Sequence, residues 1–453
     1  MEHALYPTQL NNRKVLIVFL CLFDVLILVA LGLLGPLGAF IGVTGIVLLI
    51  YLSNSPIILV ASVILTSFIV SVPGVDSHVI SSVKHLLLVS FLLLTIVRLM
   101  IEKKTWTTDF GGFEKAILLF AFWIGITTVT ALRPYQSLKV FFNIVILITL
   151  YFATIETISK RAHVRLLFYL ALIAATATFL FTAYTFLNNP FSRATGFFTN
   201  SNILGKLAIT LTPFLAMGAL TSSNWREKVI FRLGIIMTMF FLALTWSRGS
   251  WLGMIGFTIT FLWFEKRRLL KILTLSVAIV SVLLLLYDPF LNMIYKIGRI
   301  ESGTTRRSVY WEYATLTAFD RPIFGQGFGT RIRDIRNQKE LTDIQEYAAL
   351  KETEKNFNAH NMFLHLVVTT GFPGLILIIF ICYYLFKRHT FKRRIAPTTA
   401  RRLLHTTVIG VLIASLLSGL FDIGPLIGQR SISAYMWVFL GLAAAVEKKN
   451  IDI

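Results

Sequence analysis

Long apolar runs recur along the chain, separated by short polar breaks. A bilayer-spanning helix needs roughly 20 mostly apolar residues. Runs of that kind fall at 15–34, 36–52, 55–73, 84–101, 114–132, 138–156, 163–187, 203–220, 229–246, 249–265, 270–287, 361–386, 402–421 and 430–446. The second and ninth are short, so the pattern predicts about 12–14 spanning helices. The first run follows Arg13 and Lys14 but is too long for a signal peptide, which makes it an uncleaved helix. One polar stretch, 288–360, interrupts the series. Its segment "TTRRSVYWEYATLTAF" reads as an amphipathic helix with Tyr310, Tyr313, Ala314 and Leu316 on one face, and a second helix is expected over much of 331–355. Between them, "DRPIFGQGFG" is a turn marked by Pro322 and alternating glycines. Its GxGxG lacks the βαβ setting of a dinucleotide fingerprint.

Composition supports this reading. The 453 residues are 56% hydrophobic and only 14% charged, with a mean hydropathy of +0.75, more apolar surface than a soluble fold of this size can hide. The fold class expected is all-α: a polytopic membrane helix bundle with one large, mostly helical extracytoplasmic loop. Three regions follow: helices with short loops over 1–287, the loop 288–360, and helices with a cytoplasmic tail over 361–453.

Charge sets the orientation, because short cytoplasmic loops are enriched in Lys and Arg. With the N-terminus inside, "SKRAHVR", "NWREKVIFR", "EKRRLLK" and "FKRHTFKRRIAPTTARR" all fall inside. The short outside loops hold only Lys84, Arg133, Lys139, Arg193, Arg248 and Arg430. Both termini are then cytoplasmic. Much of the net charge of +21 is topogenic, and no nucleic-acid partner is implied. Loop 288–360 carries eleven Lys and Arg. Loops that long escape the positive-inside rule, so a solvated helix surface or an anion site accounts for them. Cys21 and Cys382 lie in separate spans without a CxxC partner, and the histidines form no HExxH pattern. Neither a metal nor another cofactor is expected.

Four polar clusters fall on the outside face. They are "FSRATGFFTNSNILGK" with Arg193, Asn200, Asn202 and Lys206; "LTWSRGSWLG", a hairpin with Arg248 at its tip; Arg306–Arg307; and "NFNAHNMFLHLVVTTGFPG", where His360 and Asn361 stand at the membrane seam. Arginines at a membrane surface call for an anionic partner. A lipid diphosphate is the natural one at that depth, and arginine forks match phosphate oxygens. Transfer of a sugar from such a lipid needs a base for the acceptor hydroxyl, and neutral imidazole serves near pH 7. It also needs cations for the departing diphosphate.

In sequence order, "TGFFTNSNILGK", "LTWSRGSWLG", "RSVYW…PIFGQGFG" and "AHNMFLHLVVTTGFPG" resemble the O-antigen ligase and polymerase superfamily over about 191–374. The resemblance implies a metal-independent, inverting glycosyltransferase of the bacterial inner membrane. Its donor is an undecaprenyl-diphosphate-linked glycan on the outer face. It puts His360, Arg248 and Arg307 in catalytic roles, with Arg193, Asn200, Asn202, Lys206 and Asn361 around the substrate. Other polysaccharide export or chain-length proteins are expected partners. Polymerases in the family extend a lipid-linked repeat unit; ligases pass the glycan to lipid A-core. A chain rich in Ile, Phe, Thr and Lys suits a low-GC genome, and without an outer membrane there is no lipid A acceptor, so polymerase is preferred.

Each residue also has an architectural reading: His360 a structural helix start, Arg248 a headgroup anchor, Arg307 and Arg306 solvated charges, Asn200 and Asn202 helix caps. Asp24 is a functional site or a structural partner of Arg98. Gly371 and Gly374 are expected to allow close helix packing. The rival class is a lipid-linked oligosaccharide transporter, which would hold ionisable groups at the midplane. Here they gather at one face.

The topology is testable by cysteine labelling. With Cys21 and Cys382 replaced, Glu340→Cys is expected to react with a membrane-impermeant reagent in intact cells. Protection there would reverse the orientation.

Overall fold

The structure, a computed structural model, describes residues 110–188, 193–198, 200–269, 307–328, 359–428 and 430–453, together with Val60. The expected spans at 15–34, 36–52, 84–101 and 270–287, the 55–73 span apart from Val60, the helix over 331–355 and the Asp24–Arg98 pair lie outside the described residues.

The described residues are helical, without strands. The helices are α1 (Gly112–Val129), α2 (Pro134–Thr157), α3 (Arg161–Asn188), α4 (Ser201–Thr221), α5 (Trp225–Leu244), α6 (Arg248–Glu265), α7 (Arg307–Asp320), α8 (Met362–Arg394), α9 (Thr399–Gly419) and α10 (Arg430–Lys448). Local chemistry starts several of them. Pro134 opens α2, where a missing N–H costs nothing. Asn200, Asn224, Asn361 and Thr398 cap α4, α5, α8 and α9, their side-chain oxygens accepting orphan backbone N–H groups.

Six helices, α1, α2, α3, α4, α8 and α9, are long and apolar enough to cross a membrane. The runs at 229–246, 249–265 and 430–446 are also helical, as α5, α6 and α10, but charged residues at their ends keep them below that mark.

The bundle is built around α4, which packs against α3, α5, α6, α9 and α10. Nearly all of its residues are buried, including Lys206. Small residues bring the helices together: a Cβ on Gly205 of α4 would stand 2.5 Å from Ser250 Oγ of α6, and one on Gly253 of α6 would stand 2.7 Å from the Ala414 carbonyl of α9. Phe214 of α4 meets Phe439 of α10 edge to face, with ring centroids 5.0 Å apart.

The inner face of α7 differs from expectation. Ala314, Thr317 and Ala318 are buried, and Leu316 is exposed. A helix repeats every 3.6 residues, so the buried set runs i, i+3, i+4 from Ala314. The two alanines let α7 lie on Ala359, Val367 and Val368 at the start of α8.

Gly371 does not serve helix packing either. It breaks α8 with φ 71°, and the turn Pro322–Phe328 docks into the break. A Cβ on Gly371 would fall on the Ile323 carbonyl oxygen. Pro373 has no N–H to offer the Thr369 carbonyl; the Gly327 N–H donates to it instead at 3.0 Å. Gln326 N–H donates to Val368 O at 2.7 Å, Phe372 N–H to Pro322 O at 2.8 Å, and the Trp123 indole to Thr370 O at 2.8 Å. The backbone groups freed by the break are thereby satisfied, as a low-dielectric surrounding requires. Trp123 also stacks on Phe324, with centroids 5.7 Å apart. The alternating glycines are needed because the turn lies against backbone: Gly325 and Gly327 have φ 65° and 85°.

Gly371→Ala is expected to destabilise the protein by about 3 kcal/mol or more, combining left-handed strain with loss of the docked turn. Trp123→Phe removes one hydrogen bond and should cost about 1–3 kcal/mol. Thermal unfolding in detergent checks both. A neutral Gly371→Ala would mean that the turn is not seated in the break.

Candidate active-site cleft

The ion pairs of the described bundle collect at its two ends. At one end, Arg388 of α8 bridges Glu114 of α1 (2.9 Å) and Glu447 of α10 (3.1 Å), and Lys392 also reaches Glu447 (2.9 Å). Arg393 and Arg402 share Glu265 of α6. Much of the basic run "FKRHTFKRRIAPTTARR" is therefore committed to ion pairs between helices.

The other end carries a cleft lined by Arg193, Lys206, Trp246, Arg248 and Asp422 among others, with about 60 Å³ of free volume. Its walls follow from short local structures. The segment after α3 is fastened to the end of α5: Ala194 N–H donates to Leu244 O at 3.0 Å and Arg193 Nε to Thr245 O at 3.1 Å. A second guanidinium nitrogen of Arg193 donates to Asn202 Oδ1 at 3.1 Å. Asn200 Oδ1 accepts the Asn202 N–H at 2.8 Å, so Asn200 is the cap of α4 and Asn202 steadies Arg193. Arg248 is the first residue of α6 and is exposed.

Lys206 is buried one turn into α4. Its Nζ donates to Asp422 Oδ2 at 2.6 Å. The other oxygen of Asp422 lies 3.6 Å from His360 Nδ1 and accepts the Ile423 N–H at 2.9 Å. Asp422 stands in the turn between α9 and α10. Burial pushes its carboxyl up. The Lys206 ammonium and the His360 contact outweigh that, and the net effect holds it well below the usual carboxylate range. His360 precedes α8 with φ 47°. Asn361 Oδ1 accepts the N–H groups of Phe363 and Leu364 at 2.9 and 3.1 Å, so that oxygen is the cap of α8.

The structure thus brings Arg193, Asn202, Lys206 and Arg248 to one cleft and sets His360 against its carboxylate. Arg307 is the first residue of α7, at the same end, but its side chain lies outside the described residues. Among the described residues no group of three or more His, Cys, Asp or Glu could hold a metal ion.

Asp422 is the site residue that the sequence reading passes over. A signal exists: it is the one acidic residue between Glu354 and Glu447, directly after an apolar run. An ionisable group in that setting is a candidate by default.

These features define a class: a bundle of membrane-length apolar helices with an arginine- and lysine-lined cleft at one end, beside an imidazole–carboxylate pair. Residues 233–379 match the family model described as O-Antigen ligase. A protein of Rickettsia felis named "Putative polysaccharide ligase" is 26% identical over 286 residues, covering 60% of this chain and 68% of that one. The family match and this relative support the O-antigen ligase and polymerase superfamily, and with the six apolar helices they support a multi-pass membrane protein.

Asp422→Asn leaves Lys206 buried without a counter-charge, which should cost about 3–5 kcal/mol at pH 7. Because the folded carboxyl is held low, its stabilisation is fully present above the ordinary Asp value of about 3.9. It is lost only as pH falls through the folded value. The gap in thermal stability between wild type and Asp422→Asn should therefore persist down to pH 5. A gap that closes by pH 5 would mean the carboxyl is not held ionised.

Proposed function

We propose that this protein transfers a glycan from undecaprenyl diphosphate to an acceptor hydroxyl at the cleft, on the outer face of the bacterial inner membrane. The observation that carries this is the convergence of Arg193, Lys206 and Arg248 with Asp422 and His360 at one end of the apolar helices. Three cations and one carboxylate leave two positive charges. That charge supports a diphosphate diester as the ligand, since such a group carries two negative charges.

In the reaction, the acceptor oxygen attacks the anomeric carbon from the face opposite the diphosphate, inverting it. The bond from that carbon to the diphosphate oxygen breaks, and its electron pair leaves with the diphosphate. His360 takes the acceptor proton. Asp422 lies beyond direct hydrogen-bond range of Nδ1 at 3.6 Å. Nδ1 faces that carboxylate, which leaves Nε2 as the base. Arg248, helped by Arg193 and by Arg307 from α7, meets the charge that develops on the leaving group. No step is assigned to a metal ion.

For the acceptor we favour a second lipid-linked repeat unit, which makes the protein a polymerase of a cell-surface polysaccharide. The residue composition supports that choice. Transfer to lipid A-core is the second reading; the matching family and the relative are both described as ligases.

Reconstituted protein supplied with an undecaprenyl-diphosphate glycan and either acceptor separates the two, and glycan moved across the membrane without a new glycosidic bond would sink both. His360→Ala should lower turnover roughly 10²–10⁴-fold with donor binding retained. Arg248→Ala should weaken both, and Arg248→Lys should recover only part, since a point charge lacks the bidentate fork. Activity should survive EDTA. Near wild-type turnover in His360→Ala would make the imidazole a structural residue.

A further inference from the structure

Among the described residues, three non-glycine positions have positive φ: Trp246 (50°), His360 (47°) and Asn450 (54°). Asn450 ends α10, where asparagine is common. Trp246 lines the cleft, and His360 stands against its carboxylate, Asp422. Trp246 follows the last turn of α5, and its N–H donates to the Ala243 carbonyl at 3.3 Å. That is the position at which helices place glycine or asparagine, because a Cβ is unfavourable in the left-handed region. The turn is locked from both sides. Thr245 Oγ1 donates to Leu242 O at 2.7 Å and accepts the Ser247 N–H at 3.1 Å. The backbone is thus held left-handed whatever side chain follows Thr245.

A bulky side chain kept at such a position needs a return. Packing gives one to other tryptophans: the indole N–H groups of Trp123, Trp251 and Trp437 each donate to a backbone carbonyl. Trp246 has no such use. Among the described residues its indole makes no hydrogen bond, no ring contact and no cation–π contact. It is partly exposed and lines the cleft beside Arg193, Lys206 and Arg248. Strain without a structural return, at a ligand cleft, points to a ligand.

We propose that Trp246 is the sugar platform of this cleft. The flat indole would receive the apolar C–H face of the first pyranose ring, the one joined to the diphosphate that the neighbouring cations hold. A pyranose presents such C–H faces between its equatorial hydroxyls, and the electron-rich face of an indole attracts polarised C–H bonds while removing apolar area from water. The inference rests on the transfer reaction proposed above. It adds a division of labour: cations bind the diphosphate, and Trp246 distinguishes a lipid that carries a sugar from one that does not.

The test uses the full chain in nanodiscs and two defined probes, undecaprenyl diphosphate and undecaprenyl-diphosphate-linked N-acetylglucosamine. Wild type should bind the sugar-bearing lipid about tenfold more tightly. Trp246→Gly and Trp246→Ala should lose that preference while binding bare undecaprenyl diphosphate as before. Trp246→Phe should keep part of it. Trp246→Gly should also melt at a higher temperature than wild type, since glycine suits the left-handed turn. A packing tryptophan would do the reverse. If Trp246→Gly lowers the melting temperature and Trp246→Phe restores it, or if the variants lose both probes equally, the platform is overturned and the diphosphate site stands. If wild type binds neither probe, the transfer reaction and the platform fail together.

Discussion

The cleft depends on one buried ion pair. Lys206 and Asp422 are 216 positions apart in sequence and 2.6 Å apart in space. Neither could be buried alone, since an isolated charge in an apolar bundle is far more costly than a paired one. The pair fastens the first turns of α4, the central helix, to the turn after α9. In doing so it fixes the carboxylate that faces His360, and it spends the charge of Lys206. Arg193 is likewise tied to Thr245 and Asn202, so the cleft presents two of its cations on fixed supports. That is the condition under which electrostatic stabilisation is effective, because no reorganisation is needed when charge develops.

The bundle has two polar ends with different designs. One end is closed: Arg388, Lys392, Arg393 and Arg402 each find a carboxylate on another helix, and the ion pairs join α1, α6, α8, α9 and α10. Three carboxylates, Glu114, Glu265 and Glu447, hold these four cations. The other end keeps an excess of positive charge around an open volume. Basic residues that a topological reading assigns to membrane orientation are thus also the connectors of the closed end. The two roles are compatible, since orientation is decided during insertion and pairing during packing.

What could be read from the sequence followed from range. The apolar runs are local, and the described helices reproduce them: the run at 163–187 is α3 at Arg161–Asn188, and the run at 203–220 is α4 at Ser201–Thr221. Candidate residues marked by local context, such as Arg193 and Arg248, were also legible as occupants of one face. Asp422 was not, because its meaning comes from Lys206 and His360, which a linear reading cannot bring to it. The inner face of α7 was misread through Leu316, where the short segment allowed more than one register and packing against Val367 and Val368 chose the alanines. Gly371 and Gly374 suggested helix contact by their spacing; only the fold shows that a turn from 40 or more residues upstream occupies the break.

That docked turn constrains how the large loop can behave. Gln326 and Gly327 supply donors that α8 itself cannot, and α8 returns one through Phe372. Peeling the turn away would strand carbonyls of Val368 and Thr369 in surroundings with no water to receive them, at several kcal/mol for each. The downstream root of α7 is therefore welded to the upper segment of α8 and cannot act as a hinge. Any swing of this region must take α7, the turn and the top of α8 as one rigid body. His360 and Asn361 would be carried along at its tip, so that in the proposed transfer reaction opening the entrance and withdrawing the base become the same motion.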